Sequence, residues 1–271
     1  MLRCQNRLPA FILISCLAAV LLWFSSAATG QDVTGAPEFI TDRPDQTESS
    51  AVVPRGYFQI ETGVTYSDEG SASRTLEYPG TLIRIGLMKR LELRLGTQGF
   101  VSEFEGNETT GYGDSEIGTK LYLWQERGWR PEAALLTSVS IPTGSSAFST
   151  RHADPSFRFL FSHSLTETVS LAYNVGAAWE TVATSSGSAT LSDFEYTLAA
   201  GFALTDRIGA FAELFGDTPL SSGGGTAISV DGGFTYLLRP NIQFDVALGA
   251  GITDEAPDWF LTAGVSFRLP R

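Results

Sequence analysis

Apolar and polar residues alternate along most of the chain from residue 56 onward. In the stretch GYFQIETGVTY, Phe58, Ile60 and Val64 fall on one side, whereas Gln59 and Glu61 fall on the other. Successive side chains of a β-strand point to opposite faces, so this alternation predicts a strand with two different surroundings. About twelve such segments follow one another. They read GYFQIETGVTY, TLIRIGLMKR, LELRLGTQGF, DSEIGTKLYLW, PEAALLTSVSI, PSFRFLFSH, VSLAYNVGAAW, DFEYTLAAGFAL, IGAFAELF, AISVDGGFTYL, IQFDVALGAGI and WFLTAGVSFRL.

The lengths of the strands and connections distinguish two all-β architectures. A soluble β-sandwich alternates in the same way, but strands of about ten residues match the length that a tilted strand needs to cross a bilayer. Connections after even-numbered strands are short and those after odd-numbered strands are long. The long ones are residues 67–79, 102–113, 142–155, 183–192, 216–225 and 253–258. This predicts a single closed antiparallel transmembrane β-barrel over residues 56–271, with about twelve strands, short periplasmic turns and longer extracellular loops.

Charged residues on the polar faces are predicted to line the lumen. Ionisable residues at membrane depth commonly mark a wet path, which predicts a passive pathway or binding site for a small-molecule solute. The excess of acids favours cations or neutral solutes. The alternative is a closed network of ion pairs that only stabilises the barrel. The predicted lining residues are Glu61, Arg84, Glu92, Arg94, Glu116, Lys120, Arg158, Glu195, Glu213, Asp231, Asp245 and Arg268.

Residues 1–30 have the composition of a cleaved secretory signal peptide. Arg3 and Arg7 precede the apolar run AFILISCLAAVLLWF, and the small residues SSAATG follow it. An uncleaved membrane helix is the alternative, because the uncharged run is long enough to span a bilayer. Both cysteines, Cys4 and Cys16, lie in this leader, so the mature chain has no cysteine for catalysis or metal binding. Loss of the two arginines moves the net charge from −12 to −14, which disfavours nucleic acid as a partner.

Residues 31–55 form an acidic, proline-containing segment ahead of the first predicted strand. We interpret it as a segment that folds back to plug or line the periplasmic mouth of the barrel, with Asp42, Arg43, Asp45 and Glu48 as its charged residues. The alternative is a mobile periplasmic tail that its charges keep solvated.

The C-terminal strand carries a candidate assembly signal. Thr262, Gly264, Phe267 and Leu269 resemble the terminal pattern that outer-membrane barrels present to the barrel-assembly machinery during biogenesis. The predicted partners are therefore this machinery, the outer-membrane lipids and a solute.

Enzymatic function has little support in the sequence. An outer-membrane lipid hydrolase would need a Ser/His pair, but the chain has only two histidines, His152 and His163, and no serine in a recognisable nucleophile motif. We therefore predict no catalytic residues, no cofactor and no metal site. An adhesin or another interaction protein is a third possibility, although the loops lack repeated aromatic patches.

Several motifs together resemble a known family. TDRPDQTES before GYFQIETG, then YGDSEIGTKLYLW, TSVSIPTG, FAELFGD and the closing DWFLTAGVSFRL are similar to the outer-membrane "transporter" family that is named after the MetA pathway of phenol degradation. The resemblance covers residues 40–269. It implies a barrel in the outer membrane of a Gram-negative bacterium that passes or binds small molecules, aromatic ones among them.

Overall fold

The computed structural model describes residues 38–70, 73–184, 187–220 and 224–270. The predicted signal peptide, residues 1–30, lies outside these ranges and stays a prediction. Residues 38–57 contain neither helix nor strand. Within the described ranges, no helix is long and apolar enough to cross a membrane.

All regular structure in the described residues is β-strand, because the period-two alternation holds in segment after segment. The strands are β1 (Phe58–Asp68), β2 (Arg74–Met88), β3 (Leu91–Thr97), β4 (Phe100–Glu105), β5 (Asn107–Tyr112), β6 (Ser115–Trp124), β7 (Glu132–Ile141), β8 (Pro155–Ser164), β9 (Val169–Thr184), β10 (Gly187–Ala203), β11 (Ile208–Pro219), β12 (Ala227–Arg239), β13 (Ile242–Gly251) and β14 (Trp259–Leu269).

Antiparallel pairing closes the sheet into a barrel. Strands β6 to β14 follow one another in chain order, β14 pairs with β1, and β1 pairs with β2. Because β2 pairs with β3 and β3 pairs with β6, β4 and β5 stand outside the ring. Fourteen strands less these two leave a barrel of twelve among the described residues. The predicted all-β, single closed antiparallel barrel is confirmed.

The predicted long loop at residues 102–113 is wrong, since most of it forms the β4–β5 hairpin. Ser102 pairs with Leu76 of β2, which extends the wall beyond the ring. Residues 183–192 are also mostly strand, because β9 and β10 stay paired up to Thr184 and Gly187. Residues 107–110 of β5 and 187–191 of β10 are exposed on both faces, so backbone pairing continues there without an alternation in the sequence.

Burial is inverted relative to a water-soluble protein. Leu95, Phe234 and Leu248 are 38%, 55% and 58% exposed, whereas Glu61 and Lys120 are 0% exposed. An apolar outer surface around a charged interior is stable where the surface faces lipid, because backbone polar groups are satisfied within the closed barrel. The barrel is therefore a transmembrane one.

Candidate functional site

Residues 38–55, which we call the N-terminal segment, lie inside the barrel. The backbone of this segment forms no helix or strand. Its N–H groups instead donate hydrogen bonds to side chains of the barrel wall. These bonds satisfy buried N–H groups and fix the path of the segment. They join Asp42 N to Glu61 Oε2 (2.9 Å), Gln46 N to Glu213 Oε2 (2.8 Å), Glu48 N to Asn174 Oδ1 (2.8 Å) and Val53 N to Glu92 Oε2 (2.7 Å).

Two carboxylates of the segment bind three cations of the wall. Asp42 Oδ2 lies 3.0 Å from Arg84 Nη1, 2.5 Å from Arg94 Nη1 and 2.7 Å from Lys120 Nζ. Glu48 lies 2.7 Å from Arg94 Nη2 and 3.4 Å from Lys120 Nζ. Burial opposes ionisation of Asp42, but the three cations outweigh it and hold its pKa well below the ordinary value.

The wall cations also contact acids of the wall. Arg84 Nε lies 2.8 Å from Glu92 Oε1, and Arg84 Nη1 lies 3.1 Å from Glu61 Oε1. Three wall bases and two wall acids give a charge of +1, and the two carboxylates of the segment bring it to −1. We call this cluster the inner network. Because its charges are buried, wall and segment depend on each other for neutralisation. Its members are Asp42, Glu48, Glu61, Arg84, Glu92, Arg94 and Lys120.

Arg43 reaches the adjacent part of the wall, at β13 and β14. Its Nη2 donates to Asp245 Oδ1 at 3.1 Å and to Thr262 Oγ1 at 2.8 Å. Gly63 and Gly264, which face each other across β1 and β14, leave room for the guanidinium. A Cβ at either glycine would lie 2.5 Å from an Arg43 nitrogen.

Acidic groups meet further along the segment. The Thr47 hydroxyl donates to Glu213 and lies 2.7 Å from Thr197 Oγ1. Glu213 and Asp231 are direct neighbours on β11 and β12, an arrangement in which like charges repel. Burial raises the pKa of Asp45 well above its ordinary value, and the charge of Glu213 raises it further.

A cavity of about 1210 Å³, which we call the outer cavity, lies at the end of the barrel that carries the long connections. Arg43, Gln46 and Glu48 of the segment border it on one side, and residues 146–151 of the β7–β8 loop border it on another. Among the described residues, nine acids and four arginines line it, so its charge is predominantly negative.

Besides Glu61 and Arg94 of the inner network, three predicted lining residues border the outer cavity. Arg158 Nε lies 2.8 Å from Glu195 Oε2, and their side chains are 30% and 21% exposed. Glu116 is exposed at its border. Glu77 and Glu103 also line this cavity, but they are not among the predicted lining residues, because both lie in stretches that were predicted to be loops. The acidity of these stretches was the only available signal.

A second cavity of about 450 Å³, the inner cavity, lies between the segment and the opposite end of the barrel. Residues 38–41 and 43–45 border it, together with the turn residues 166–168 that precede β9. Its lining includes the rings of Phe39 and Phe211.

The last predicted lumen residue, Arg268, contacts the start of the N-terminal segment at the inner end of the barrel. Its Nη1 donates to the carbonyl oxygen of Glu38 at 2.7 Å, and its guanidinium carbon lies 5.3 Å from the centre of the Phe39 ring. The predicted assembly residues all lie on β14: Thr262 and Gly264 face Arg43, whereas Phe267 and Leu269 pair with Ile60 and Phe58 at the β1–β14 seam. Their role in assembly stays a prediction.

The part of the chain that the structure describes contains no candidate metal site. No group of three or more His, Cys, Asp or Glu side chains there is arranged to hold a metal ion.

Comparison with known proteins assigns the family. The family described as "Putative MetA-pathway of phenol degradation" matches residues 41–269. The chain belongs to this family. This confirms the resemblance found in the sequence, and the match spans all twelve strands of the barrel. No curated protein matches the chain.

Solved structures with this fold are outer-membrane barrels. An outer membrane channel from Pseudomonas putida F1 has 14% sequence identity and a TM-score of 0.61, covering 80% of this chain and 97% of its own. The NanC porin has 9% identity and a TM-score of 0.55, covering 78% and 98%. The KdgM porin has 11% identity and a TM-score of 0.51, covering 77% and 98%. At these identities the likeness concerns the fold, which is that of an outer-membrane β-barrel.

Proposed function

We propose that the barrel provides a passive pathway for small polar solutes across the outer membrane, with the outer cavity as its extracellular mouth. The observation that carries this proposal is the outer cavity itself, about 1210 Å³ of space lined by charged side chains. Ionisable groups in a membrane protein are costly unless they pair or meet water. Glu116 and Glu77 border space rather than a packed core, which supports a wet path.

The solute proposed here is neutral or cationic. Nine acids against four arginines in the outer lining would repel anions and attract cations. Aromatic molecules, which the family name implies, are less well matched to this lining, because Phe148 and Trp179 are the only aromatic residues among its described members. Passage of small aromatic molecules stays an expectation.

The N-terminal segment is proposed to act as a plug. Its ion pairs and backbone hydrogen bonds to the wall support a fixed position in the lumen. A solute that crosses the barrel would pass beside the segment, or would cross only after part of the segment has moved. Export through a cleaved signal peptide at residues 1–30 belongs to the same proposal, since an outer-membrane barrel is exported before it folds.

A non-conducting barrel is the second candidate, and the inner network favours it. Ion pairs with side chains no more than 4% exposed, such as those of Arg84 and Lys120 with Asp42, stabilise a closed lumen without carrying anything. In neither candidate does the barrel act as an enzyme, and hydrolysis of lipid by the purified barrel would contradict both.

Planar-bilayer conductance tests the proposal. We expect small, cation-preferring currents from the intact barrel and much larger ones after deletion of residues 38–53. Liposome swelling with sugars and with neutral aromatic solutes would then define the solute class. A barrel that folds in detergent but neither conducts nor admits any solute, even after the deletion, would leave the stabilised, non-conducting barrel.

A further inference from the structure

Arg43 lies where the two cavities meet. Among the described lining residues, it is the one that the outer cavity of about 1210 Å³ and the inner cavity of about 450 Å³ share. Gln46 borders the outer cavity, whereas Pro44 and Asp45 border the inner one. Residues 43–46 are therefore the partition between them.

The guanidinium of Arg43 occupies a seat in the wall. Gly63 on β1 and Gly264 on β14 are direct partners, and a Cβ on either would lie 2.5 Å from Arg43 Nη2 or Nε. Each added Cβ would also crowd a backbone oxygen of the neighbouring strand, so glycine is needed at both positions. Asp245 and Thr262 hold the side chain there through Nη2.

This side chain is held less tightly than that of Arg84 in the inner network. Its Nε is buried without a hydrogen-bond partner among the described residues, and 19% of the side chain is exposed. Arg84, in contrast, donates from Nε, Nη1 and Nη2 to wall and segment, and its side chain is 1% exposed.

The flanking residues are fixed. Asp42 contacts three cations of the inner network, and Thr47, which is 3% exposed, is hydrogen-bonded to Glu213 and Thr197. The Arg43 side chain can therefore leave its seat by rotation about its own bonds while Asp42 and Thr47 keep their contacts.

We propose that Arg43 is the gate of the pathway: the two cavities join when its guanidinium leaves the seat between Gly63 and Gly264, while Asp42 and Thr47 stay anchored. The inference rests on the proposed passive pathway and names the residue that limits it. Solute flux then depends on one side chain and its pairing with Asp245, rather than on expulsion of the N-terminal segment.

Single-channel recording of the full-length barrel tests the gate. Arg43→Ala should conduct several-fold more than the natural chain, because its missing side chain joins the cavities. Arg74→Ala removes the same charge from a pair with Asp68 at the first residue of β2, where the arginine side chain is 59% exposed, and should conduct as the natural chain does. Heat-modifiable gel mobility verifies that each variant is a folded barrel.

A second pair of variants keeps the test decisive if Arg43→Ala fails to fold. Asp245→Asn removes the ionic partner and leaves the arginine in place, so it should raise the open probability; Asp68→Asn is its surface control. The gate is overturned if Arg43→Ala and Asp245→Asn both match the natural chain while the barrel lacking residues 38–53 conducts strongly. If that deletion variant is also silent, the proposed pathway itself fails.

Discussion

The inner network and the outer cavity are built from the same kinds of residues, but they differ in packing. In the inner network, Asp42 contacts Arg84, Arg94 and Lys120, and these side chains are at most 4% exposed. At the outer cavity, in contrast, the charged side chains of Arg158 and Glu195 are 30% and 21% exposed. The N-terminal segment makes the difference, since it fills one region and only borders the other.

The inner network has the features expected of a stabilised, non-conducting barrel, whereas the outer cavity has those expected of a passive pathway. Charges that the segment covers have exchanged water for one another and act as structure, because a buried charge without a partner is strongly unfavourable. Charges that face space keep water, and they are available to a passing ion or solute. Whether a charged lumen residue stabilises the barrel or contacts a solute therefore depends on whether it faces the N-terminal segment or open space.

The largest effect is expected from Asp42. Asp42→Asn would remove the carboxylate that contacts all three buried cations, and we expect it to lower the free energy of unfolding by about 3–5 kcal/mol. Urea unfolding of the barrel in lipid vesicles measures this. A loss below about 1 kcal/mol, typical of an exposed pair, would show that the inner network is not closed by the segment.

A pH effect on the same network comes next. Burial raises the pKa of Glu48 from 4.5 to about 7, although Arg94 and Lys120 act in the opposite direction. A raised pKa stabilises the folded state fully below the unfolded value and loses that effect as the pH rises through the folded value. The urea midpoint should therefore rise as the pH falls from 8 towards 5.

Glu48→Gln should reduce the rise of the urea midpoint between pH 8 and pH 5. If the midpoint of this variant changes with pH as it does in the natural chain, another group causes the pH dependence. Further acidification should reverse the trend, because the depressed pKa of Asp42 gives stability that is lost only below its unfolded value of 3.8.

A smaller effect is expected for the ion pair of the outer cavity. Glu195→Gln breaks the contact with Arg158, but both side chains are partly exposed, so the free energy of unfolding should fall by about 1 kcal/mol or less. The same urea experiment applies, with Asp42→Asn as the matched buried case. Equal losses in the two variants would remove the distinction between the regions.

The smallest effect concerns ion preference. Glu116→Gln removes one of nine acids from the outer lining, and salt screens a single exposed charge within about 10 Å at 0.1 M. We expect the reversal potential in a KCl gradient to shift slightly towards zero. Glu126→Gln, in the β6–β7 turn away from both cavities, should not shift it.

The strand register could be predicted because one face of each strand meets lipid. Alternation such as Leu93 beside Glu92 and Arg94 leaves only one orientation in a bilayer, and Glu92 and Arg94 are indeed 0% and 3% exposed. Not every large apolar ring faces lipid. Phe215 lies on the same face as Glu213 and contacts Phe260, 5.9 Å away between ring centres.

The hairpin beyond the ring could not be predicted in the same way. Residues 107–110 of β5 are exposed on both faces, so no face is selected and no alternation marks the strand. Its pairing with β4 and β2 depends on where the ring ends, which is a property of the closed barrel.

The sequence by itself determined the barrel and its approximate strand number, and it predicted which charged residues lie opposite the apolar face, because lipid imposes a period of two on every strand that crosses it. It did not determine which of those residues are paired or exposed to the lumen space. Arg43, Gly63 and Gly264 are far apart along the chain and meet only after β14 pairs with β1. Only the tertiary structure decided this, because closure of the barrel and the path of residues 38–55 bring the partners together, and no local pattern carries that information.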